Sequence, residues 1–237
     1  MRTPNVLDLF SGIGGFSVGL EAAGMRTVAF CECEPFCKAV LKKHWPEVPI
    51  YDDVQSLTAD RLVTDGIRVD VICGGFPCQD ISFAGAGEGL AGKRSGLWYE
   101  FHRLIEEIKP RYAIIENVSA LRSRGLDAVL GSLAQIGYDA EWHCIPASAV
   151  GAPHRRDRIW VIANPNDKSE STSAINAKTF WMSKSQKNDW GEWRNYAGTL
   201  GMDDGLFNRV DRLKALGNAV VPQIPEMIGH AIMEHYR

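Results

Sequence analysis

Five short apolar runs, at residues 5–10, 27–30, 69–76, 112–115 and 159–163, alternate with stretches of helical periodicity, and this alternation constrains the fold more than any other feature of the chain. One intervening stretch carries Leu97, Phe101, Leu104, Ile105 and Ile108 at helical spacing and stops ahead of Lys109-Pro110. Another carries Leu126, Val129, Leu130, Leu133 and Ile136. Trp142 and Cys144 fall in a further strand, and Ile224, Met227, Ile228, Ala231 and Ile232 mark one face of a last helix that can pack back on the sheet. Strands separated by helices predict an α/β doubly wound sheet, with ligands at the carboxyl ends of the strands. At 237 residues and 45% hydrophobic content, the chain can build one sizeable core with at most a small appendage.

The residues just after each strand therefore matter most. The first run, Asn5 to Phe10, leads into Ser11-Gly12-Ile13-Gly14-Gly15-Phe16 and then a helix carrying Val18, Leu20 and Ala22 that stops at Gly24. Strand, glycine turn and helix make a nucleotide-binding unit, because glycines admit a ligand close to the backbone and helix N-terminal amides offer donors. Glu32 stands about 20 residues beyond the glycines, where an acid can accept from two ribose hydroxyls. Asp53, next to Val54, can accept from an adenine amino group.

The run from Val69 to Phe76 ends in Pro77-Cys78-Gln79, and Tyr112 to Ile115 ends in Glu116-Asn117-Val118. The pair supplies a nucleophile and an acid at the same edge of the sheet. A thiolate can add to carbon 6 of a cytosine ring while a carboxyl group at N3 offsets the electron density pushed into the ring, leaving carbon 5 nucleophilic.

Taken together these segments resemble the DNA (cytosine-5) methyltransferase family, along most of the chain. Asp8-Leu9-Phe10-Ser11-Gly12-Ile13-Gly14-Gly15-Phe16 is similar to its first cofactor motif, Gly74-Gly75-Phe76-Pro77-Cys78-Gln79 to its nucleophile loop and Glu116-Asn117-Val118 to its acid motif. Ala152-Pro153-His154-Arg155-Arg156-Asp157-Arg158 is similar to the basic motif and Leu216-Gly217-Asn218-Ala219-Val220 to the final one. The resemblance implies a mixed sheet of the S-adenosylmethionine-dependent methyltransferase type and base flipping from duplex DNA. It implies Cys78 as nucleophile, Glu116 on N3 and the exocyclic amine, Arg158 against the base, Arg156 on a phosphate or bracing the loop, and Asn117 positioning the Pro77-Cys78 turn. For S-adenosylmethionine it implies Asp8 within the first motif, Phe10 stacked on adenine, Gly12 and Gly14 admitting the methionine part, Glu32 on the ribose, Asp53 and Val54 at the adenine, and Asn218 near the carboxylate. One departure is His154, which stands where a glutamine is usual and makes that contact pH-dependent.

The net charge of −3 carries no nucleic-acid signal in bulk, although Arg155, Arg156 and Arg158 are grouped and basic residues recur late in the chain. No apolar stretch approaches the ~20 residues of a membrane span and no leader pattern opens the chain, so a cytoplasmic protein is expected. Cys31, Cys33 and Cys37 are close enough in sequence to raise a metal site, but no second ligand cluster accompanies them. They are read as buried thiols, with no metal expected.

Composition changes after Ala163, which divides the chain into a catalytic and cofactor-binding part (1–163), a very small target-recognition segment (164–206) and a C-terminal return (207–237). The middle segment carries Trp181, Trp190 and Trp193 among Lys178, Lys184, Lys187 and Arg194. The glycine-rich stretch from Ser82 to Gly89 is expected to close over DNA. The expected partner is double-stranded DNA, the chain acting as a monomer and any cognate restriction nuclease working without direct contact. Two alternatives share these residues: a transfer RNA cytosine-5 methyltransferase, and a non-catalytic DNA-binding relative.

Overall fold

A computed structural model describes residues 2–77, 96–166 and 215–236. Cys78, the Ser82–Gly89 stretch and nearly all of the recognition segment lie outside the described residues. The elements are β1 (Asn5–Leu9), α1 (Gly15–Ala22), β2 (Arg26–Cys31), α2 (Pro35–His44), β3 (Ile50–Tyr51), α3 (Ala59–Thr64) and β4 (Val71–Gly75). They continue with α4 (Leu97–Ile108), β5 (Tyr112–Val118), α5 (Leu121–Arg124), α6 (Leu126–Gln135), β6 (Tyr138–Pro146), β7 (Asp157–Pro165) and α7 (Gln223–His235).

The strands form one seven-stranded sheet in the order β3-β2-β1-β4-β5-β7-β6. The first five are parallel, and β7 runs antiparallel between β5 and β6. The expected mixed, doubly wound sheet is therefore present. Side chains alternate between two cores as strand geometry requires: Leu7, Leu9, Ile72, Ala113 and Ile115 join the layer under α4 and α6, while Val6, Val71, Cys73, Tyr112 and Ile114 join the layer under α1 and α7. Strands buried on both faces explain why their sequence reads as continuous apolar runs.

Register places the chemistry at one edge. Leu9 pairs with Gly74 and with Cys31, Gly75 pairs with Glu116, and Val118 pairs with Arg158. Because β7 is antiparallel, its amino end meets the carboxyl ends of β1, β4 and β5, so Arg156 and Arg158 enter the same space as the residues after those strands.

Helix boundaries obey local signals. Pro35 opens α2, whose last turn carries Lys42, Lys43 and His44 against the helix dipole. Lys109, left-handed at φ 52°, ends α4 ahead of Pro110. The stripe expected in α1 is offset: Val18 is 45% exposed, and the buried positions are Phe16, Ser17, Gly19 and Leu20. Periodicity alone missed this because the helix packs through small residues against α7. The run expected to end at Ile115 continues through Val118, so Glu116 and Asn117 are strand residues rather than loop residues. Trp142 and Cys144 do lie in a strand, but β6 is the sheet edge and both are exposed. Among the described residues no helix is long and apolar enough to cross a membrane.

Candidate active site

A cleft of about 990 Å³ opens at this edge of the sheet. On one side lies the turn after β1. Phe10 (φ 51°) and Gly12 (φ 54°) are left-handed, and the space where a Gly12 Cβ would stand is open. The Gly12 amide donates to Glu32 Oε2 at 2.7 Å and the Glu34 amide to Oε1 at 2.8 Å. Glu32 thus ties the glycine turn to the end of β2, and each of its oxygens keeps a lone pair for a further donor. Phe10 packs at a tilt against Phe101, with ring centres 6.4 Å apart. Asp53 is exposed at the cleft, its Oδ1 accepting from the Gln55 amide at 2.9 Å, and Val54 is buried beneath it.

The Asp53 loop is held by a residue that sequence reasoning did not find. Arg103 donates to the carbonyls of Val54 (3.0 Å) and Leu57 (2.9 Å) and is clamped by Glu100 and Glu107. The Glu100–Arg103–Glu107 spacing along one helix face was the available signal.

Two residues predicted for the cofactor lie outside the cleft wall. Gly14 faces the other way, where a Cβ would come within 2.8 Å of the Trp45 ring and 3.1 Å of Leu41. Asp8 is fully buried behind the turn and accepts from Ser17 Oγ at 2.7 Å. Burial pushes its pKa up to about 8 against the lowering effect of the Ser17 hydrogen bonds, and Glu32 adds to the rise.

On the other side of the cleft stands Glu116, 9% exposed, with Arg158 Nε 2.9 Å from its Oε1. Burial raises its pKa above the ordinary carboxylate value, although Arg158 and Arg156 pull it down. Gly75 makes the room: a Cβ there would lie 2.6 Å from Glu116 Oε2. Asn117, also buried, donates from Nδ2 to the Phe76 carbonyl at 3.1 Å, fixing the chain one residue before Pro77. Pro77 lines the cleft and Cys78 comes next in the chain. Arg156, left-handed at φ 36°, donates to the carbonyls of Gly217 (2.6 Å) and Ala219 (2.8 Å), while Asn218 between them is exposed in the cleft. His154 is exposed and is not among the residues that line the cleft.

The described parts of the cleft are electrically divided. Glu32, Glu34, Asp52 and Asp53 line the side near β2, and Arg156 and Arg158 line the side near β7. Cys31 and Cys37 are buried as expected, but Cys33 is exposed, because the chain turns outward between β2 and α2. With these acids, an open glycine turn and a cleft of this size, the site fits a nucleoside carrying a sulfonium cation.

A family model described as C-5 cytosine-specific DNA methylase matches residues 4–201. The chain belongs to this family. Among its relatives is the type II methyltransferase M2.BsuMI of Bacillus subtilis (strain 168), 37% identical over 167 residues, covering 67% of this chain and 41% of that protein. Another is the type II methyltransferase M.CviJI of Paramecium bursaria Chlorella virus IL3A, 32% identical over 220 residues and covering 91% of this chain and 56% of that one. The chain therefore spans about half the length of these two methylases. The S. pombe Dnmt2 methyltransferase has the same fold, with a TM-score of 0.62 at 20% identity over 85% of this chain and 62% of its own.

Proposed function

We propose that this chain methylates carbon 5 of cytosine in double-stranded DNA, with Cys78 adding to carbon 6 of a flipped base. The observation that carries the reading is that the Glu32-braced glycine turn and the Glu116–Arg158 pair open into one cleft, bordered by the Pro77 that precedes Cys78. S-adenosylmethionine would supply an electrophilic methyl group, with Glu32 on its ribose, Asp53 and Val54 at its adenine, Phe10 against the ring, Gly12 by the methionine part and Asn218 at the carboxylate.

The chain's own residues account for the remaining steps. Asn117 sets the exit of β4 through the Phe76 carbonyl and so aims the Pro77-Cys78 turn. Glu116, its proton favoured by burial, donates to N3 as the Cys78 thiolate bonds to carbon 6. Arg158 keeps the carboxyl group in place and faces the base. Once carbon 5 carries the methyl group, its proton leaves to solvent, the carbon–sulfur bond breaks to return the thiolate, and N3 gives its proton back to Glu116, leaving neutral 5-methylcytosine and the enzyme in its starting state. Such a thiolate suits a reducing, cytoplasmic setting. The reading takes duplex DNA as partner, the chain as a monomer, and any cognate nuclease as acting separately.

Transfer of labelled methyl groups from S-adenosylmethionine to duplex DNA, with transfer RNA in parallel, tests the proposal. Incorporation at cytosine carbon 5 of the duplex is expected. Incorporation into transfer RNA alone, or DNA binding without transfer, would replace it with one of the two alternatives.

A further inference from the structure

We propose that Arg156 is a positioning residue: its guanidinium latches the returning C-terminal segment onto the cofactor wall and is not spent on a DNA phosphate. The inference rests on the methyltransferase reading above and concerns how this chain completes its cofactor site.

Burial anchors the segment from Ala215 to Val221 at its two ends, where Ala215 is buried and Val220 and Val221 pack partly buried against the layer under α1 and α7. Leu216, Gly217 and Asn218 are exposed, and only residues 215–218 are helical. Two further contacts hold its exposed middle in place. On one side Val220 sits against Gly15, where a Cβ would stand 2.7 Å from the Val220 carbonyl oxygen and 3.2 Å from its Cβ. On the other, Arg156 donates to the carbonyls on either side of Asn218. A planar guanidinium can bridge two acceptors at once, which an ammonium point charge does poorly. Arg156 also holds a left-handed backbone, uncommon for a residue with a Cβ, which its surroundings must impose. The latch therefore joins the start of β7, which carries Arg158, to the wall that carries Asn218.

The same guanidinium is the second cation acting on Glu116. From β4 that carboxylate faces Gly75, and from β7 it faces Arg158, with Arg156 just before β7 and Trp160 the backbone partner of Glu116 in the sheet. Charge and bridging are thus two separable contributions of one side chain.

Arg156→Gln and Arg156→Lys separate them, with circular dichroism confirming that each variant folds. Arg156→Gln should weaken S-adenosylmethionine binding about tenfold in calorimetry, the loss of one to two hydrogen bonds from a charged donor. It should speed amide exchange over residues 216–221 and move the Glu116 limb of the pH–rate profile upward. Arg156→Lys should weaken cofactor binding as well but keep the limb in place, because it retains the charge. Unchanged cofactor affinity in both variants, with a DNA-binding salt slope reduced by about one, would assign Arg156 to a phosphate and overturn the latch. Full cofactor affinity in the Lys variant would also overturn it. If the wild-type chain bound no S-adenosylmethionine, the methyltransferase reading itself would fall. If the Gln variant does not fold, the Lys variant carries the test.

Discussion

Arg158 Nε lies 2.9 Å from Glu116 Oε1, yet the pKa of the Glu116 carboxyl group is still raised, because burial outweighs the cation beside it. Glu116 thus sits on strand β5 with an opposite charge in contact and a carboxyl group that burial holds above the ordinary carboxylate range. In the proposed reaction that group donates a proton to N3. Glu116→Gln should therefore cut kcat by roughly 10²–10⁴-fold, the usual contribution of a positioned acid, with cofactor affinity unchanged. Arg158→Ala removes a lowering influence, so the activity limb that falls as pH rises through the Glu116 pKa should move to higher pH. Gly75→Ala, which puts a Cβ 2.6 Å from Glu116 Oε2, should lower kcat in the same way while calorimetry shows normal S-adenosylmethionine binding. Full activity in Gly75→Ala would mean that the carboxylate does not need its present position.

Cys78→Ser should leave cofactor binding intact and reduce turnover by several orders of magnitude, since a hydroxyl is hardly ionised at neutral pH. A duplex containing 5-fluorocytosine should trap the wild-type enzyme, and mass spectrometry should locate the adduct on Cys78. An adduct on another residue would move the nucleophile elsewhere.

Glu32 carries two structural hydrogen bonds as well as its expected ribose contact. Glu32→Ala should weaken S-adenosylmethionine binding by roughly 1.5–3 kcal/mol, the range for hydrogen bonds to a charged group. It should also release the Gly12 and Glu34 amides to faster hydrogen exchange. An unchanged dissociation constant would leave Glu32 as a brace of the turn alone.

The alternation of strands and helices made the sheet legible, and the residues just past Leu9, Cys73 and Ile115 were legible as one edge. Arg158 could be named from sequence but not paired, because its contact with Glu116 depends on the antiparallel insertion of β7, a long-range choice that local pattern does not encode. The same holds for Arg156 and Gly217, 61 residues apart. Gly14 is ambiguous in sequence for a simpler reason. A glycine in a turn can be required by a ligand or by packing, and here Trp45 fills the space. Arg103 was missed because a charged helix residue between two glutamates reads as solvated surface.

Asp8 offers a test of burial. Its pKa is raised to about 8 in the folded protein, so between about pH 4 and pH 8 the native state keeps a proton that the unfolded chain has released. Its contribution to stability is therefore present at low pH and is lost as pH climbs through that window. Asp8→Asn cannot ionise and should flatten this part of the stability profile, becoming more stable relative to wild type at pH 8 than at pH 5. Denaturant titrations at the two values measure it. The same difference at both pH values would show that Asp8 is ionised throughout.

Residues 167–206 of the recognition segment lie outside the described residues, so its prediction rests on sequence. Lys178, Lys184, Lys187 and Arg194 are interleaved there with Trp181, Trp190 and Trp193. The basic residues can neutralise phosphates, and a tryptophan can pack on a sugar edge or fill the space left by a flipped base. Few side chains then remain to hydrogen-bond base edges, and each specified base pair needs at least one good contact in the major groove. We expect a short target of about two to four base pairs, bound with an affinity that falls steeply as salt rises because phosphate contacts dominate it. Bisulfite sequencing of DNA methylated by the purified enzyme reads the word directly. Six or more specified bases would show that readout comes from elsewhere in the chain.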